Sequence, residues 1–289
     1  MICRAYVVHY GDRAGTLATV ASLQTGDVAP DAVVVIDNQG GFAADGVEVM
    51  RPSGNVGFAG AIGLGSVEAL RAGAAWAWFL NNDVVVAPGC LRELLAAGEA
   101  EPRAGLLTPV IEHEEGGIWY AGGEVESRSV RVDHATVVDG EGPYDTGYAT
   151  GCAVLARAGL MREVGPPDER LFMYFEDVDW SLRARARGWR VLVVPAARVR
   201  HSVARRGGRR VWSPLAVYLL TRNRLLLARR SGDIAAALPP AASWAARQWI
   251  KAVAWRSGAA IARAGVLGLR DGLCGRCGPP PAAVLGRRP

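Results

Sequence analysis

The sequence lacks a long hydrophobic run, although half of its 289 residues are apolar. No stretch of about 18 uncharged apolar residues occurs, so we expect a globular protein without a membrane-spanning helix. The longest candidate, residues 234–249, is interrupted by Pro239 and Pro240 and contains Arg247. The first residues lead straight into a strand-like run, so no signal peptide is expected and a cytoplasmic location is predicted.

Cysteine and lysine are also scarce. Of five cysteines, only Cys274 and Cys277 have a spacing typical of metal ligands, and no second pair completes a zinc site. We therefore expect reduced, structural thiols. The single lysine is Lys251, so almost all positive charge is arginine, which excludes no function.

Acidic residues are nearly absent from the C-terminal third. From residue 198 onward the sequence contains 18 basic residues and only two acidic ones, Asp233 and Asp271, which gives a net charge of +16. The preceding residues have a net charge of −11. This asymmetry predicts an anionic partner. No zinc finger or RNA-binding signature is present, so nucleic acid is not expected. Arginines alternate with tryptophans, as in interfacial helices, which favours peripheral attachment to the inner face of the cell membrane. A solvated basic face is the alternative.

The pattern of what is present is α/β. Continuous apolar runs at residues 5–8, 32–36 and 75–80, with a short run at 47–50, are typical of parallel strands. Helical patterns over 16–23, 57–74 and 88–97 separate them, and this alternation favours a doubly wound nucleotide-binding half. Residues 105–145 predict hairpins of short strands, and a long helix follows at 213–230.

Polar residues directly follow two of these strands, at their carboxyl ends. Asp37 and Asn38 follow the second strand, and Asn81, Asn82 and Asp83 follow the fourth. In open α/β sheets, ligands bind at this edge. Oxygen donors of this kind suit Mg²⁺ or Mn²⁺, which also bind substrate phosphates. A polar turn is the alternative interpretation.

An acidic cluster, Glu176, Asp177 and Asp179, lies between aromatic residues at the predicted start of a helix. Carboxylates in such apolar surroundings lose solvation unless they are used or paired. They could equally be acids that cap the helix, because a negative charge is stabilised near the positive, N-terminal end of the helix dipole. Glycines after Gly57 predict a helix start that approaches a phosphate or sugar closely.

Together these segments resemble family 2 glycosyltransferases, and most closely the rhamnosyltransferase-like branch. The resemblance covers about residues 3–230 and is carried by segments in the family's order and spacing: Val33–Asn38, Asn55–Gly60, Phe79–Asp83, Thr150–Ala153, Val164–Gly165, Asp168–Glu169, Phe172, Glu176–Asp179, Arg183, Gly188 and His201. One departure is residues 61–65, where the family usually has an asparagine that this chain lacks.

The resemblance implies a GT-A fold: a Rossmann-like nucleotide-binding sheet with a fused acceptor-binding half, here followed by a C-terminal helical extension. We expect a nucleotide-sugar-binding half over residues 1–104 and an acceptor or catalytic half over 105–211. A basic helical extension is expected over 212–273 and a disordered tail over 274–289.

The resemblance also implies an inverting transfer with Asp177 as catalytic base, supported by Glu176, Asp179 and Arg183. Asp83 is expected to bind Mg²⁺ or Mn²⁺, with His201 as a later ligand or, alternatively, a buried structural histidine. Asp37 resembles the family's base-binding aspartate, which implies a UDP- or dTDP-sugar. The expected nucleotide-sugar-binding residues are Val8, Tyr10, Asp37, Asn38, Asn55, Gly57, Phe58, Asn82 and Asp83.

The implied acceptor is a hydroxyl on a lipid-linked glycan or a secondary metabolite, and the sugar is L-rhamnose or a related hexose. Two alternatives come from other classes. One is a sugar-nucleotide-binding relative without transfer activity, which intact Asp83, Asp177 and His201 oppose. The other is a basic membrane-associated adaptor, which would leave the acidic clusters unexplained.

Overall fold

A computed structural model describes residues 2–202, 212–253 and 258–285 of the chain. The chain forms two compact units. Unit 1 comprises Met1–Glu124, Asp133–Asp168 and Asp177–Val203, and unit 2 comprises Val125–Val132, Glu169–Glu176 and Ala204–Pro289. The boundary expected at residue 104 falls inside unit 1, and the functional division at 104 and 211 stays a prediction.

Twelve strands occur in the described residues: β1 (Cys3–His9), β2 (Ala32–Asp37), β3 (Glu48–Met50), β4 (Trp76–Asn81), β5 (Val84–Val86), β6 (Ala104–His113), β7 (Ile118–Tyr120), β8 (Gly123–Glu126), β9 (Arg131–His134), β10 (Tyr144–Asp145), β11 (Ala153–Arg157) and β12 (Arg190–His201). Eight α-helices occur there: α1 (Arg13–Gln24), α2 (Gly57–Arg71), α3 (Cys90–Ala100), α4 (Ala158–Val164), α5 (Glu176–Ala186), α6 (Pro214–Ser231), α7 (Ile234–Val253) and α8 (Gly258–Leu273).

The main sheet has the strand order β10-β12-β6-β11-β4-β1-β2-β3, with β5 paired to β12 and β7 to β6. Strands β3, β2, β1 and β4 are parallel, as the continuous apolar runs predict. Strand β11 runs antiparallel to both β4 and β6. The expected α/β architecture is confirmed, with α1 between β1 and β2 and α2 between β3 and β4.

Three aromatic side chains pack together in the core of unit 1. Tyr6 stacks on Phe79 with ring centroids 5.3 Å apart, and Phe79 meets the edge of Trp180 at 6.2 Å. Helix α2 approaches this cluster through Gly65, where an added Cβ would lie 2.9 Å from Phe79 Cε1. This glycine therefore serves packing of the helix on the sheet, and not the phosphate approach that the sequence suggested.

Parallel pairing brings the polar strand ends to one edge of the sheet. His9, the last residue of β1, is in register with Asp37, the last residue of β2. On the other side, Val8 of β1 is in register with Asn81 of β4. The segments 9–12, 37–42 and 81–83 consequently leave the sheet side by side.

The middle of the chain contains the expected short strands, β7 to β10, but it also contains a long strand. Strand β6 spans ten residues and pairs in parallel with β12, so it belongs to the main sheet. Its first eight residues are buried. Because both faces are covered, β6 shows no alternation that would identify it in the sequence.

Unit 2 contains helices α6, α7 and α8. Ser213 caps α6 by accepting a hydrogen bond from Ala216 N (3.1 Å), and Gly232 ends it with a φ of +80°. Helix α7 contains Pro239 and Pro240 in its first two turns, so they do not divide it. The tail, expected to be disordered, is described as far as Leu285: Val284 is buried, and Gly278 O accepts from Arg222 Nη1 at 2.7 Å.

Within the described ranges, no helix has the length and apolar character needed to cross a bilayer.

Candidate functional site

The side chain of Asp37 organises the loop that follows β2. Its Oδ1 accepts from the backbone N–H groups of Gln39 (3.2 Å) and Gly40 (2.8 Å), and its Oδ2 accepts from that of Phe42 (2.8 Å). Burial raises the pKa of Asp37, but these three donors outweigh it and hold the pKa below its ordinary value. The carboxylate is thus ionised and largely committed to the turn, with one acceptor position of Oδ2 remaining.

His9 lies next to Asp37 and is buried. Its Nδ1 lies 2.7 Å from Thr16 Oγ1, and its ring is 4.7 Å from that of Phe42. Burial lowers the pKa of His9, so the neutral ring is favoured at neutral pH. His9 was not identified from the sequence, where its only signal is a polar residue at the end of β1.

Asn38 and Asn55 fix the start of α2. Asn38 Nδ2 donates to Gly57 O and Asn55 Oδ1 accepts from Gly57 N, both at 2.9 Å. Gly57 has a φ of +75°, which a residue with a Cβ adopts only under strain. Phe58 packs against the core of unit 1. The buried Asn38 Oδ1 has no hydrogen-bond partner among the described residues.

Asn82 braces the loop after β1. Its Nδ2 donates to Tyr10 O (3.4 Å), Asp12 O (3.2 Å) and Thr16 Oγ1 (3.0 Å). Tyr10 itself is 54% exposed, whereas Val8 belongs to the core. Any contact of Val8 with a ligand would therefore involve its backbone.

Asp83 and His201 face each other across the pairing of β5 with β12. His201 Nε2 lies 3.0 Å from Asp83 Oδ1, and Ser202 N donates to Asp83 O at 2.9 Å. The His201 side chain is 10% exposed and that of Asp83 is 41% exposed. Trp119 lies against the imidazole with a centroid separation of 5.2 Å. Sequence reasoning did not identify Trp119, which lies on a short edge strand.

The donor set at Asp83 and His201 fits a divalent metal that has other ligands as well. Two ligands at adjacent corners of an octahedral Mg²⁺ site, each about 2.1 Å from the metal, are about 3.0 Å apart. No cluster of three or more His, Cys, Asp or Glu side chains suited to a metal occurs in the described part of the chain. The pair could therefore hold a metal that substrate phosphates and water also coordinate.

Asp177 is the second residue of α5 and is partly buried. Its Oδ2 accepts from Gly151 N at 3.0 Å, and its Oδ1 accepts from Val178 N at 2.8 Å. Burial raises the pKa of Asp177 even though these backbone donors oppose the rise. A raised pKa makes the carboxylate a stronger proton acceptor.

The turn at residues 150–152 connects Asp177 with the end of β4. Gly151 N binds Asp177, and the neighbouring Cys152 O accepts from Asn81 N at 3.0 Å. The pKa of the Cys152 thiol is well above its ordinary value, because the thiol is buried and because the carboxylates of Asp83 and Asp177 both act on it. Asp83 and Asp177 thus flank one buried turn in unit 1.

The remaining acids of the cluster have structural contacts. Glu176 begins α5 and is buried. Asp179 Oδ2 binds Arg183 Nε at 2.8 Å, the pairing across one helical turn that the sequence allowed. Arg183 also donates to Val164 O and Pro166 O, both at 2.8 Å. The Asp179–Arg183 pair therefore anchors α5 to the loop after α4.

A family model described as "Glycosyltransferase like family 2" matches residues 5–224. The chain is 32% identical over 177 residues to an N-acetylglucosaminyl-diphospho-decaprenol L-rhamnosyltransferase of Mycobacterium tuberculosis. That match covers 54% of this chain and just over half, 56%, of the relative. A dTDP-rhamnosyl transferase of Shigella flexneri, RfbF, is 23% identical over 212 residues, covering 69% of this chain and 71% of that protein.

Solved structures of glycosyltransferases share the fold at low sequence identity. GalNAc-T7, solved with UDP, GalNAc and Mn²⁺, aligns with a TM-score of 0.61 at 18% identity over 79% of this chain and 47% of its own. The mannosyltransferase PcManGT of Pyrobaculum calidifontis, solved with GDP-Man and Mn²⁺, aligns at 0.55 and 14% identity over 94% and 86%. The chain therefore belongs to glycosyltransferase family 2 and has the GT-A fold.

Proposed function

We propose that the protein is a metal-dependent, inverting hexosyltransferase that moves L-rhamnose, or a related hexose, from a dTDP- or UDP-sugar to an acceptor hydroxyl. The observation that carries this proposal is the arrangement at one sheet edge, where Asp177, with its raised pKa, and the Asp83–His201 pair flank the turn at residues 150–152. The M. tuberculosis and S. flexneri relatives are rhamnosyltransferases by name, which supports the choice of sugar.

In the proposed reaction, the acceptor oxygen attacks the anomeric carbon from the face opposite the nucleotide diphosphate. The new carbon–oxygen bond forms as the bond to the diphosphate breaks, and its electron pair leaves with the diphosphate. The hydroxyl proton passes to the Asp177 carboxylate, which the N–H groups of Gly151 and Val178 keep oriented. A single displacement from the face opposite the leaving group inverts the configuration at the anomeric carbon.

Asp83 and His201 are the proposed protein ligands of Mg²⁺ or Mn²⁺. The metal, when bound, would neutralise charge on the departing diphosphate. Asp83 offers the more exposed oxygen, and His201 Nε2 is held beside it by the end of β12. The Trp119 ring packs against the imidazole and restricts its rotation.

The nucleotide is proposed to bind where β1 and β2 leave the sheet. Asp37 shapes the loop over residues 38–42, and its remaining Oδ2 position could accept the imide N–H of uracil or thymine, a donor that cytosine lacks. Asn38 Oδ1, buried without a partner among the described residues, is a second candidate acceptor there. Tyr10, Asn55, Gly57, Phe58, Asn82 and the Val8 backbone would complete the nucleotide-sugar site.

The acceptor is proposed to be a lipid-linked glycan at the inner face of the cell membrane. The M. tuberculosis relative has a polyprenyl diphosphate substrate by name, and the C-terminal third of this chain carries a net charge of +16. A soluble secondary metabolite is the alternative acceptor, and peripheral membrane attachment would then serve no purpose in the transfer.

The test is donor consumption with a panel of UDP- and dTDP-sugars, each with and without a polyprenyl-diphosphate-linked N-acetylglucosamine acceptor. We expect release of one nucleoside diphosphate, with a product of inverted configuration, only when the lipid-linked acceptor is present. Donor binding without consumption of any sugar would favour a sugar-nucleotide-binding relative. Absence of both binding and consumption would favour an adaptor.

A further inference from the structure

Helix α7 buries small side chains and exposes large apolar ones, the reverse of the usual order in a globular protein. Its buried residues follow a helical stripe of alanines and one glutamine: Ala237, Ala241, Ala245, Gln248 and Ala252. The side chains of Trp249, Ile250 and Val253 lie outside this stripe and are 46%, 65% and 57% exposed. Because Trp249 and Val253 are one turn apart and Ile250 is adjacent, the three form one exposed apolar face.

Close packing of α8 against α6 and α7 explains why small residues occupy the contacts between these helices. On α8, an added Cβ at Gly268 would lie 2.7 Å from Tyr218 O of α6, and one at Gly272 would lie 2.8 Å from Leu225 Cβ. An added Cβ at Gly265 would lie 3.2 Å from Ala245 Cβ of α7. Helix α8 likewise leaves Val266 65% exposed.

Basic residues border the exposed face of α7. Arg247 and Lys251 are both exposed, lie one turn apart and follow the apolar face around the helix. Between residues 234 and 285 the sequence contains six basic residues and a single acid, Asp271. Asp271 is buried and paired with Arg270 and Arg276, so no carboxylate on the described part of these helices repels an anionic partner.

We infer that the face formed by Trp249, Ile250 and Val253 inserts into the interfacial region of an anionic bilayer, with Arg247 and Lys251 at the headgroups. A large apolar face beside a basic one, on a helix unable to span, is the arrangement of interfacial helices. A second copy of this chain fits less well, because a symmetric contact would bring the same basic residues together. The membrane contact itself is independent of the proposed function. Its purpose, to bring the enzyme to a lipid-linked acceptor, rests on that function.

The experiment is co-sedimentation of the full chain with vesicles, without donor or acceptor, so that its outcome is independent of transfer activity. One set of vesicles contains phosphatidylglycerol and phosphatidylcholine, and the other contains phosphatidylcholine alone. We expect binding to the first set, only partly released by high salt, and little binding to the second. The triple variant Trp249→Ser, Ile250→Ser, Val253→Ser should partition about tenfold more weakly or worse.

Two controls distinguish insertion of this face from general surface stickiness and from purely electrostatic binding. Val137→Ser removes an apolar side chain that is 76% exposed in unit 1 and should bind like the wild type. Arg247→Gln with Lys251→Gln should lose only the salt-sensitive part of binding. Should the triple variant melt at a lower temperature than the wild type, Ile250→Gln alone, at the most exposed of the three positions, replaces it.

Wild-type-like binding by a folded face variant would overturn the inference, as would failure of the wild type to bind phosphatidylglycerol vesicles. A dimer in solution that the triple variant converts to monomers would assign the face to a second copy instead.

Discussion

At the level of single residues, the raised pKa of Asp177 separates it from the acids around it. Asp179 is paired with Arg183, and Asp37 is held by three backbone donors. Among the described residues, Asp177 accepts only from its own helix start and from Gly151, and its burial favours the protonated form. We therefore predict that Asp177→Asn lowers transfer by at least about 10²–10⁴-fold, the usual contribution of a general base.

Donor binding should survive in Asp177→Asn, because the base acts on the acceptor. Turnover under saturating donor, together with calorimetric titration of the nucleotide sugar, measures both effects. Glu99→Gln provides the matched control, since it makes the same change at an exposed position on α3. Turnover of Asp177→Asn at the wild-type rate would remove Asp177 from the proposed mechanism.

The Asp83–His201 pair leads to a metal prediction. We expect transfer to require Mg²⁺ or Mn²⁺ and to be lost in EDTA, because the diphosphate then leaves without charge compensation. Asp83→Ala should weaken donor binding, whereas His201→Ala should have a milder effect, since phosphate oxygens and water supply other ligands. Titration of Mn²⁺ against each variant measures the loss, and full activity in EDTA would contradict the assignment of both residues.

At the level of elements, the loop before α5 is held in an unusual conformation. Phe172, Tyr174 and Phe175 have φ values of 67°, 68° and 68°. A left-handed backbone costs a bulky residue about 1–2 kcal/mol. Asn223 of α6 offsets this cost, because its buried Nδ2 donates to Leu171 O, Met173 O and Tyr174 O at 2.7–2.9 Å.

We predict that Asn223→Asp destabilises unit 2 by about 2–4 kcal/mol. The carboxylate has the shape of the amide but no N–H group, so the three carbonyls lose their donor and face a negative charge. Chemical denaturation measures the free energy of unfolding, and limited proteolysis measures exposure of residues 171–175. Gln24→Glu makes the same chemical change at an exposed position and should alter stability by less than about 0.5 kcal/mol. Equal effects of the two substitutions would show that the asparagine contacts are unimportant.

This loop also shows where sequence reasoning stops. The parallel strands were predictable because buried strands give continuous apolar runs, and α6 because Ser213 and Gly232 are standard helix boundaries. The contact of Asn223 with residues 171–174 joins positions about fifty apart, and nothing local signals it. His9 and Trp119 were missed for the same reason, since register alone places them beside Asp37 and His201.

For the whole molecule, the sequence likewise gives the composition of a region but not the arrangement of its side chains. The charge asymmetry is a property of the sequence, and the anionic partner inferred from it stays a prediction. The sequence does not indicate which side of each C-terminal helix faces outward. The usual burial of large apolar side chains would place Trp249, Ile250 and Val253 inside, whereas the buried residues of α7 and α8 are mainly alanines and glycines. The distances at which α6, α7 and α8 pack decide which side of each helix is buried. These distances depend on all three helices together, so the sequence of one helix does not determine them.

The free energy of unfolding of the whole chain should depend on pH through the ionisation of Asp177. Its folded-state pKa is raised above the ordinary value near 3.8, so the folded state binds the proton more tightly than the unfolded state. Ionised Asp177 therefore opposes folding, and this cost develops as pH rises from 3.8 through the folded-state pKa. Asp177→Asn, which has no proton to release, should be more stable than the wild type at neutral pH, and the two should converge in acid. Melting temperatures of both proteins across this range measure the difference; a gap that stays constant with pH would show that burial does not disfavour the ionised carboxylate.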